Sequence, residues 1–230
     1  MPRGFQVEPG RVGFGFSVFP YSRFRDTDEL AAVVQEGEEL GFDAVLLPEH
    51  LLPPAWPNAD PASKLWYDPL TLAAFLAGKT SRIAFLTSVL VVPYYHPIRL
   101  AKALATLDVV SKGRIWLGVG AGWMPAEFKR LGISLADRSA ITDEYLRAMV
   151  ELWTNDAPEF EGQYVSFRDV SFLPRPVQQP HIPILVGGTG PRPFRRVVEL
   201  GQGWYPMTGG LDEVRRGVTR LRALFAAAGR

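Results

Sequence analysis

The sequence contains no cysteine and only three histidines in 230 residues. Without cysteine it has no disulfide framework, no thiolate metal site and no cysteine nucleophile, and this composition is typical of a reducing compartment. No H-x-x-x-H pattern or comparable cluster of metal ligands occurs, so we expect no metal site. The G-x-S-x-G motif is also missing, which excludes a serine hydrolase built on a nucleophile elbow.

An excess of charge is missing too, because 25 Lys and Arg face 24 Asp and Glu, for a formal net charge of +1. The charges are interspersed along the chain, so we expect no nucleic-acid partner. No segment approaches the roughly 18 apolar residues of a membrane span, and the first residues lack the apolar stretch of a signal peptide. We therefore expect a cytoplasmic protein with no membrane partner.

Glycine and proline are abundant, with 22 and 20 residues, and they separate apolar segments from one another. Apolar runs begin near residues 12, 42, 82, 115, 183 and 203, and amphipathic helical patterns lie between them. This alternation predicts βα units around a parallel sheet. No glycine-rich dinucleotide fingerprint follows the first run, which favours a TIM-type (β/α) barrel over a doubly wound sheet. Helix starts are predicted at Asp26 with Glu29 and at Asp68 with Pro69.

We predict a single barrel domain over residues 1–230, with an irregular insert near residues 155–182 in which residues 164–167 form a small hairpin strand. A complete barrel has eight units and typically about 250 residues. About six units are evident, so we expect the C-terminal units to be missing or shortened. Because an unsealed sheet edge exposes apolar faces and unpaired N–H groups, we also expect a homodimer.

Candidate site residues follow the apolar runs, because ligand sites of parallel barrels form at the carboxyl ends of the strands. In chain order they are Ser17, Phe19, Tyr21, Glu49, His50, Thr87, Ser88, residues 120–123, residues 187–190 and Trp204. Glycine backbone at two of these ends lets a flat or phosphorylated ligand approach main-chain N–H groups, and the helix after Gly190 offers its N-terminal dipole to an anion. The long Pro/Trp-rich segment 51–67 is typical of a binding or lid element.

Each of these features also has a purely structural interpretation. The glycines are compatible with ordinary turns, Glu49 and His50 with a helix cap or a surface pair, and the tryptophans with core or lid packing. We expect His96, directly before Pro97, at a helix N-terminus and His181 in packing or solvent.

Several motifs together resemble the bacterial luciferase-like monooxygenase family. They are GFDAV at 41–45 with PEH at 48–50, LTSVL at 86–90, GVGAGW at 118–123 followed by EF at 127–128 and LG at 131–132, FLPRP at 172–176, PILVGG at 183–188, and GW at 203–204. The resemblance covers nearly the entire chain. It is greatest to the branch that uses the deazaflavin coenzyme F-420, and the FMN branch shares much of the pattern.

The resemblance implies a (β/α)8 barrel that uses reduced FMN or coenzyme F-420 for hydride transfer to, or oxygenation of, a small organic substrate. It implies that His50 lies beside the cofactor ring as a proton donor or hydrogen-bond partner, with Glu49 next to it. It also places a non-prolyl cis peptide at Ser88–Val89 as a backstop to the ring. The expected cofactor-binding residues are Ser17, Thr87, Ser88, Val89, Ala121, Gly122, Gly187, Gly188 and Thr189, the last three holding the phosphate or ribityl chain.

The aromatic residues Phe19, Tyr21, Trp56, Trp66 and Trp123 are expected to line a substrate site, which predicts an apolar or flat aromatic substrate. Ala121 and Trp123 stand where some deazaflavin-dependent dehydrogenases of the family carry Thr and Glu, so a sugar-phosphate substrate is not carried over. Two alternatives stay open. One is a catalytically silent cofactor-binding or interaction protein on a shortened barrel, and the other is a cofactor-free lyase or isomerase that uses Glu49 and His50 as acid and base.

Overall fold

The computed structural model describes residues 11–52, 64–207 and 210–229. The strands are β1 (Gly15–Ser17), β2 (Ala44–Leu47), β3 (Ala84–Thr87), β4 (Leu90–Val91), β5 (Ile115–Gly120), β6 (Phe160–Glu161), β7 (Ser166–Phe167), β8 (Ile184–Gly187) and β9 (Gly203–Tyr205). The helices are α1 (Thr27–Glu39), α2 (Pro69–Lys79), α3 (Pro97–Ser111), α4 (Pro125–Leu131), α5 (Arg138–Thr154), α6 (Pro191–Leu200) and α7 (Leu211–Ala227), with 3-10 turns at Tyr21–Arg23 and Val92–Tyr94.

One curved sheet organises the chain, with strand order β1-β2-β3-β5-β8-β9 and every pairing parallel. Each of these six strands lies in one of the six apolar runs, so the predicted α/β barrel-type fold is confirmed. In the part of the chain that the structure describes, β1 and β9 are the two edges of the sheet, which therefore forms an open half-barrel.

The third apolar run differs from the single strand that its sequence predicts. It is divided into β3, which pairs with β2 and the first half of β5, and β4, which pairs with the second half of β5. Ser88 and Val89 lie between the two strands and are joined by a cis peptide. The division places both residues at the carboxyl end of β3.

Helix caps lie where the sequence predicts them. Asp26 accepts a hydrogen bond from the N–H of Glu29 at the start of α1, at 2.8 Å. Asp68 accepts one from the N–H of Thr71 at the start of α2, at 2.7 Å, and Pro69 is the first helical residue. These caps satisfy N–H groups that have no partner inside the helix.

The helices form one outer layer in which α1 packs on α2, α2 on α3, α3 on α5, α5 on α6 and α6 on α7. Val45 and Leu47 of β2 are fully buried, whereas Ala44 and Leu46 alternate with them and are only half-buried. Ala44 and Leu46 line a cavity of about 280 Å³ on the inner face of the sheet, together with Trp116. The main core therefore lies between the sheet and the helices.

The insert after α5 contains the hairpin of β6 and β7, whose second strand overlaps the residues predicted for it. Its later part is attached to α3 by buried Asp108, which accepts hydrogen bonds from the N–H groups of Val177 and Gln178 and from Gln178 Nε2. Nε2 of Gln178 also donates to the carbonyl of Ile115, so the insert reaches the start of β5.

No helix in the described ranges is long and apolar enough to span a bilayer.

Candidate functional site

A cavity of about 590 Å³ lies at the carboxyl ends of the parallel strands. Ser88 reaches it from the end of β3, Gly120 from the end of β5, and Gly187 from the end of β8, while His50 reaches it from the loop after β2. Ligand sites of parallel barrels form at this end, and the volume falls within the about 300–1,000 Å³ usual for small-molecule sites. This cavity is the candidate functional site.

The floor of the cavity is made of backbone and one branched side chain. A Cβ on Gly120 would lie 2.9 Å from Val89 Cγ2, and a Cβ on Gly187 would lie 3.2 Å from Val89 Cγ1 and 2.9 Å from the Val119 carbonyl oxygen. Only glycine lets β5 and β8 approach Val89 this closely. The Ser88–Val89 peptide is cis, as the family resemblance implies.

Buried Glu127, at the start of α4, holds the histidine of the site. Its Oε1 accepts hydrogen bonds from the N–H groups of Leu51 and Leu52, at 2.7 and 2.9 Å. Its Oε2 accepts one from the Tyr94 hydroxyl at 2.8 Å and lies 3.2 Å from His50 Nδ1. Burial opposes ionisation, but two backbone N–H groups, a tyrosine hydroxyl and an imidazole together lower the pKa of Glu127.

An ionised carboxylate only accepts hydrogen bonds, so Nδ1 of His50 carries a proton. In the neutral ring Nε2 is then an acceptor, and His50 lines the cavity. The arrangement therefore presents an oriented imidazole that can accept a proton from a bound molecule or, when protonated, donate one to it.

Aromatic rings surround this imidazole. Trp66 and Trp123 meet His50 edge to face, with ring centroids 4.7 and 6.3 Å away. Phe19 stacks on Trp66 at 4.3 Å, and Tyr21 packs edge-on against Phe19 at 5.8 Å. Phe19 and Tyr21 therefore support Trp66 from behind.

Glu49 is buried and its two carboxylate oxygens are engaged. Oε2 accepts a hydrogen bond from the N–H of Val91 at 2.6 Å, and Oε1 accepts one from the Tyr95 hydroxyl. Burial is the main reason that the pKa of this carboxyl is raised to about 7, and the nearby carboxylates of Asp68 and Glu127 add to the effect. Its burial and these contacts contradict the surface-pair and helix-cap interpretations.

The opposite end of the cavity is suited to an anion. The N-termini of α5 and α6 meet there, bringing Arg138, Ser139, Thr189 and Arg192 to the lining. Helix N-termini carry partial positive charge and unpaired N–H groups, and arginine adds full charge. Arg138 is held in place by hydrogen bonds to the carbonyls of Gly122 and Leu135, at 3.2 and 2.6 Å.

Arg196 of α6 is a buried member of the lining at this end of the cavity and joins the two helices. Its Nε donates to Asp143 Oδ1 of α5 at 2.6 Å, and its guanidinium also contacts the carbonyl and hydroxyl oxygens of Ser139 at 3.3 Å. Arg195 donates to the other oxygen of Asp143 at 3.1 Å. The shared carboxylate fixes the spacing between the two helix N-termini.

Twelve of the residues predicted for the site line the cavity: Glu49, His50, Trp66, Ser88, Val89, Gly120, Ala121, Gly122, Trp123, Gly187, Gly188 and Thr189. Two predicted cofactor contacts lie elsewhere. Thr87 is buried and its hydroxyl donates to the carbonyl of Gly118 at 2.7 Å, while exposed Ser17 accepts a hydrogen bond from the N–H of Phe19 at 3.2 Å. Phe19 and Tyr21 lie behind the lining, and Trp56 is outside the described residues.

Several lining residues were not predicted as site residues from the sequence: Tyr94, Glu127, Arg138, Ser139, Arg192, Arg196, Met207 and Glu213. Glu127 was visible only as part of the EF motif, because its partners lie 33 to 77 positions earlier in the chain. A signal was present for Arg192, since it lies in the first turn of α6, which follows the end of β8, whereas Arg138 opens α5, which follows the helix α4.

The other two histidines lie where they were predicted. His96 precedes the first residue of α3, and His181 stacks on Trp153 with ring centroids 6.2 Å apart. Among the described residues no group of three or more His, Asp or Glu side chains is arranged to hold a metal ion.

Comparison with known proteins agrees with the resemblance seen in the sequence motifs. A family model described as luciferase-like monooxygenase matches residues 14–230. Over 183 residues the chain is 35% identical to an F-420-dependent glucose-6-phosphate dehydrogenase of Microbacterium testaceum, covering 75% of this chain and 50% of the relative. Over 167 residues it is 30% identical to an FMNH2-dependent dimethylsulfone monooxygenase of Pseudomonas putida, covering 71% of this chain and 46% of the relative.

The crystal structure of the monooxygenase RslO1 from Streptomyces bottropensis superposes with a TM-score of 0.83 at 28% identity, covering 95% of this chain and 67% of that one. The chain thus spans about half the length of the two enzymes compared by sequence.

Proposed function

Because the chain belongs to the luciferase-like monooxygenase family, we propose that it is an oxidoreductase that binds reduced FMN or coenzyme F-420 and acts on a small organic substrate by hydride transfer or oxygenation. One relative is named for FMNH2 and another for F-420, which supports these two cofactors as the candidates. The observation that carries the proposal is one continuous cavity with an oriented imidazole at one end and two helix N-termini with arginines at the other.

The residues present fit a flat heterocycle with a phosphate on its side chain. Val89, packed against Gly120 and Gly187, gives an apolar surface on which a flat ring could lie. Ser88, Ala121 and Gly122 would border the ring. Gly187, Gly188 and Thr189 would hold the ribityl chain, and the arginine end of the cavity would hold the phosphate.

The bound cofactor supplies the hydride, or the reduced ring that reacts with oxygen. The protein supplies position, exclusion of water and a proton site. His50, fixed through Nδ1 by Glu127, accepts or donates a proton at Nε2 on the substrate. Trp66 and Trp123 cover this end with apolar surface, which favours an apolar or flat aromatic substrate.

The cofactor-free lyase or isomerase hypothesis needs Glu49 as an acid or base at the substrate. Both oxygens of Glu49 are engaged by Val91 N–H and the Tyr95 hydroxyl, so its geometry favours a supporting role. The experiment below distinguishes a catalytically silent protein from an active enzyme. The homodimer stays a prediction, and light scattering of the purified protein tests it.

The test is a titration of purified protein with FMN and with F-420, each oxidised and reduced, followed by tryptophan fluorescence. We expect micromolar quenching by one of the two cofactors, because Trp123 lies beside the cavity. Trp123→Phe should remove much of the quenching. The matched change Trp116→Phe, on the other cavity of the inner face, should leave the quenching in place.

If the protein binds neither FMN nor F-420, the proposal is contradicted and an interaction protein is favoured. Binding without turnover of any electron donor and substrate would favour a silent cofactor-binding protein.

A further inference from the structure

Two hydroxyl groups from distant strands form a hydrogen bond with each other, and one of them, that of Ser88, lies in the cavity lining. Ser88 Oγ, directly after β3, lies 2.7 Å from the hydroxyl oxygen of Tyr205, the last residue of β9. The two residues are 117 positions apart in the chain. In the strand order β5 and β8 lie between β3 and β9, so a flat sheet would separate them by about 14 Å. The hydrogen bond can form because the sheet curves.

The pair has two hydroxyl protons, and their mutual hydrogen bond uses one of them. The distance alone does not fix which hydroxyl donates. Because a phenol is a stronger donor than an aliphatic alcohol, we assign the donor role to Tyr205, which leaves the Ser88 proton for another acceptor. Ser88 lines the cavity and is half-buried. A hydroxyl that accepts one hydrogen bond becomes a better donor in the next.

From this geometry we infer that Ser88 donates a hydrogen bond to the heterocycle of the bound cofactor and that Tyr205 is a positioning residue that aims and strengthens this bond. The inference rests on the proposed function. FMN and F-420 share a pyrimidinedione end whose carbonyl oxygens accept hydrogen bonds, and reduction places more electron density on it. The hydroxyl pair therefore binds the reduced form more tightly than the oxidised form and favours reduction of the cofactor.

A structural clasp would behave differently. If the pair only held β9 against β3, its loss would weaken binding of the oxidised and reduced cofactor by the same factor. The ratio of the two dissociation constants therefore separates the two roles, and it requires no turnover.

The experiment measures the Kd of the preferred cofactor in both redox states, anaerobically, by tryptophan fluorescence. The proteins are the wild type, Tyr205→Phe, Ser88→Ala and the double variant, with Tyr164→Phe as a matched control outside the cavity lining. We expect each single change to lower the ratio of oxidised to reduced Kd by about threefold to tenfold. The double variant should add little to Ser88→Ala, because both residues act through one hydrogen bond.

A circular dichroism melt checks that Tyr205→Phe is folded. If the folded variant has the wild-type ratio of oxidised to reduced Kd, the inference is overturned and the proposed function stands. A wild-type protein that binds neither cofactor overturns both. If Tyr205→Phe does not fold, Ser88→Ala alone decides, because it removes the donor while keeping β9 intact.

Discussion

His50 Nδ1 lies 3.2 Å from Oε2 of Glu127, and the other oxygen of the same carboxylate receives the N–H groups of the two residues that follow the histidine. One buried acid therefore fixes both the imidazole and the start of the loop that carries it. This geometry determines which ring nitrogen bears the proton at neutral pH.

Glu127→Gln should destabilise the protein by about 1–3 kcal/mol, because an amide has one oxygen for hydrogen bonds that now use two. Urea denaturation measures the loss. In the wild type the neutral His50 ring should show its proton on Nδ1 in nitrogen-15 NMR, and the variant should lose this preference. The spectrum of His181, which bonds the Ile182 carbonyl, should not change. A His50 tautomer that is unaffected by the substitution would contradict the assignment.

Glu49 should make stability depend on pH. Burial raises its pKa from 4.5 to about 7, so the folded protein binds a proton more tightly than the unfolded chain. This tighter proton binding contributes about 3 kcal/mol to the free energy of unfolding. The contribution is fully present below pH 4.5 and is lost as the pH rises to about 7.

Urea denaturation across this range should show the slope in the wild type and a flatter profile in Glu49→Gln. The exposed Glu36→Gln should retain the wild-type slope. Equal slopes in all three proteins would show that Glu49 titrates normally.

Arg192→Ala should weaken FMN binding by about tenfold, since a charge-assisted hydrogen bond to a phosphate is removed. Riboflavin, which lacks the phosphate, should bind the variant and the wild type equally. Arg222→Ala, on exposed α7, is the matched control. If F-420 is the cofactor, the same comparison uses its phosphate-free deazaflavin fragment. If Arg192→Ala weakens the binding of the phosphorylated and the unphosphorylated ligand by the same factor, the phosphate lies elsewhere.

Asp108→Asn should cost about 1–3 kcal/mol, because the amide group would face Gln178 Nε2, and turning Gln178 would break its bond to the Ile115 carbonyl. Thermal or urea denaturation measures this change. Asp156→Asn, fully exposed at the start of the insert, should have little effect. If Asp108→Asn leaves the free energy of unfolding unchanged, the insert is held by its apolar contacts alone.

The fold was predictable because its signals are local. Apolar runs, the caps at Asp26 and Asp68 and the glycines between segments are each visible within a few residues. The glycine-rich strand ends and His50 were found by the same reasoning, since strand ends define the site in this architecture.

The rest depends on contacts between distant residues. Thr87 was expected at the cofactor together with Ser88, but its hydroxyl donates to the Gly118 carbonyl of the neighbouring strand. Glu127 and Tyr205 acquire their importance from partners 77 and 117 positions away, which no local pattern reveals. Side-chain direction at a strand end is set by the neighbouring strand.

Val89 packs against both Gly120 and Gly187. A methyl group added at Gly120 has no room beside the Val89 side chain, whereas one added at Gly187 first meets the Val119 carbonyl oxygen, so the valine limits the floor at 120 and the backbone limits it at 187. Among related chains, a residue larger than glycine at 120 should accompany one smaller than valine at 89. Variation at these sites would then preserve a volume rather than an amino acid.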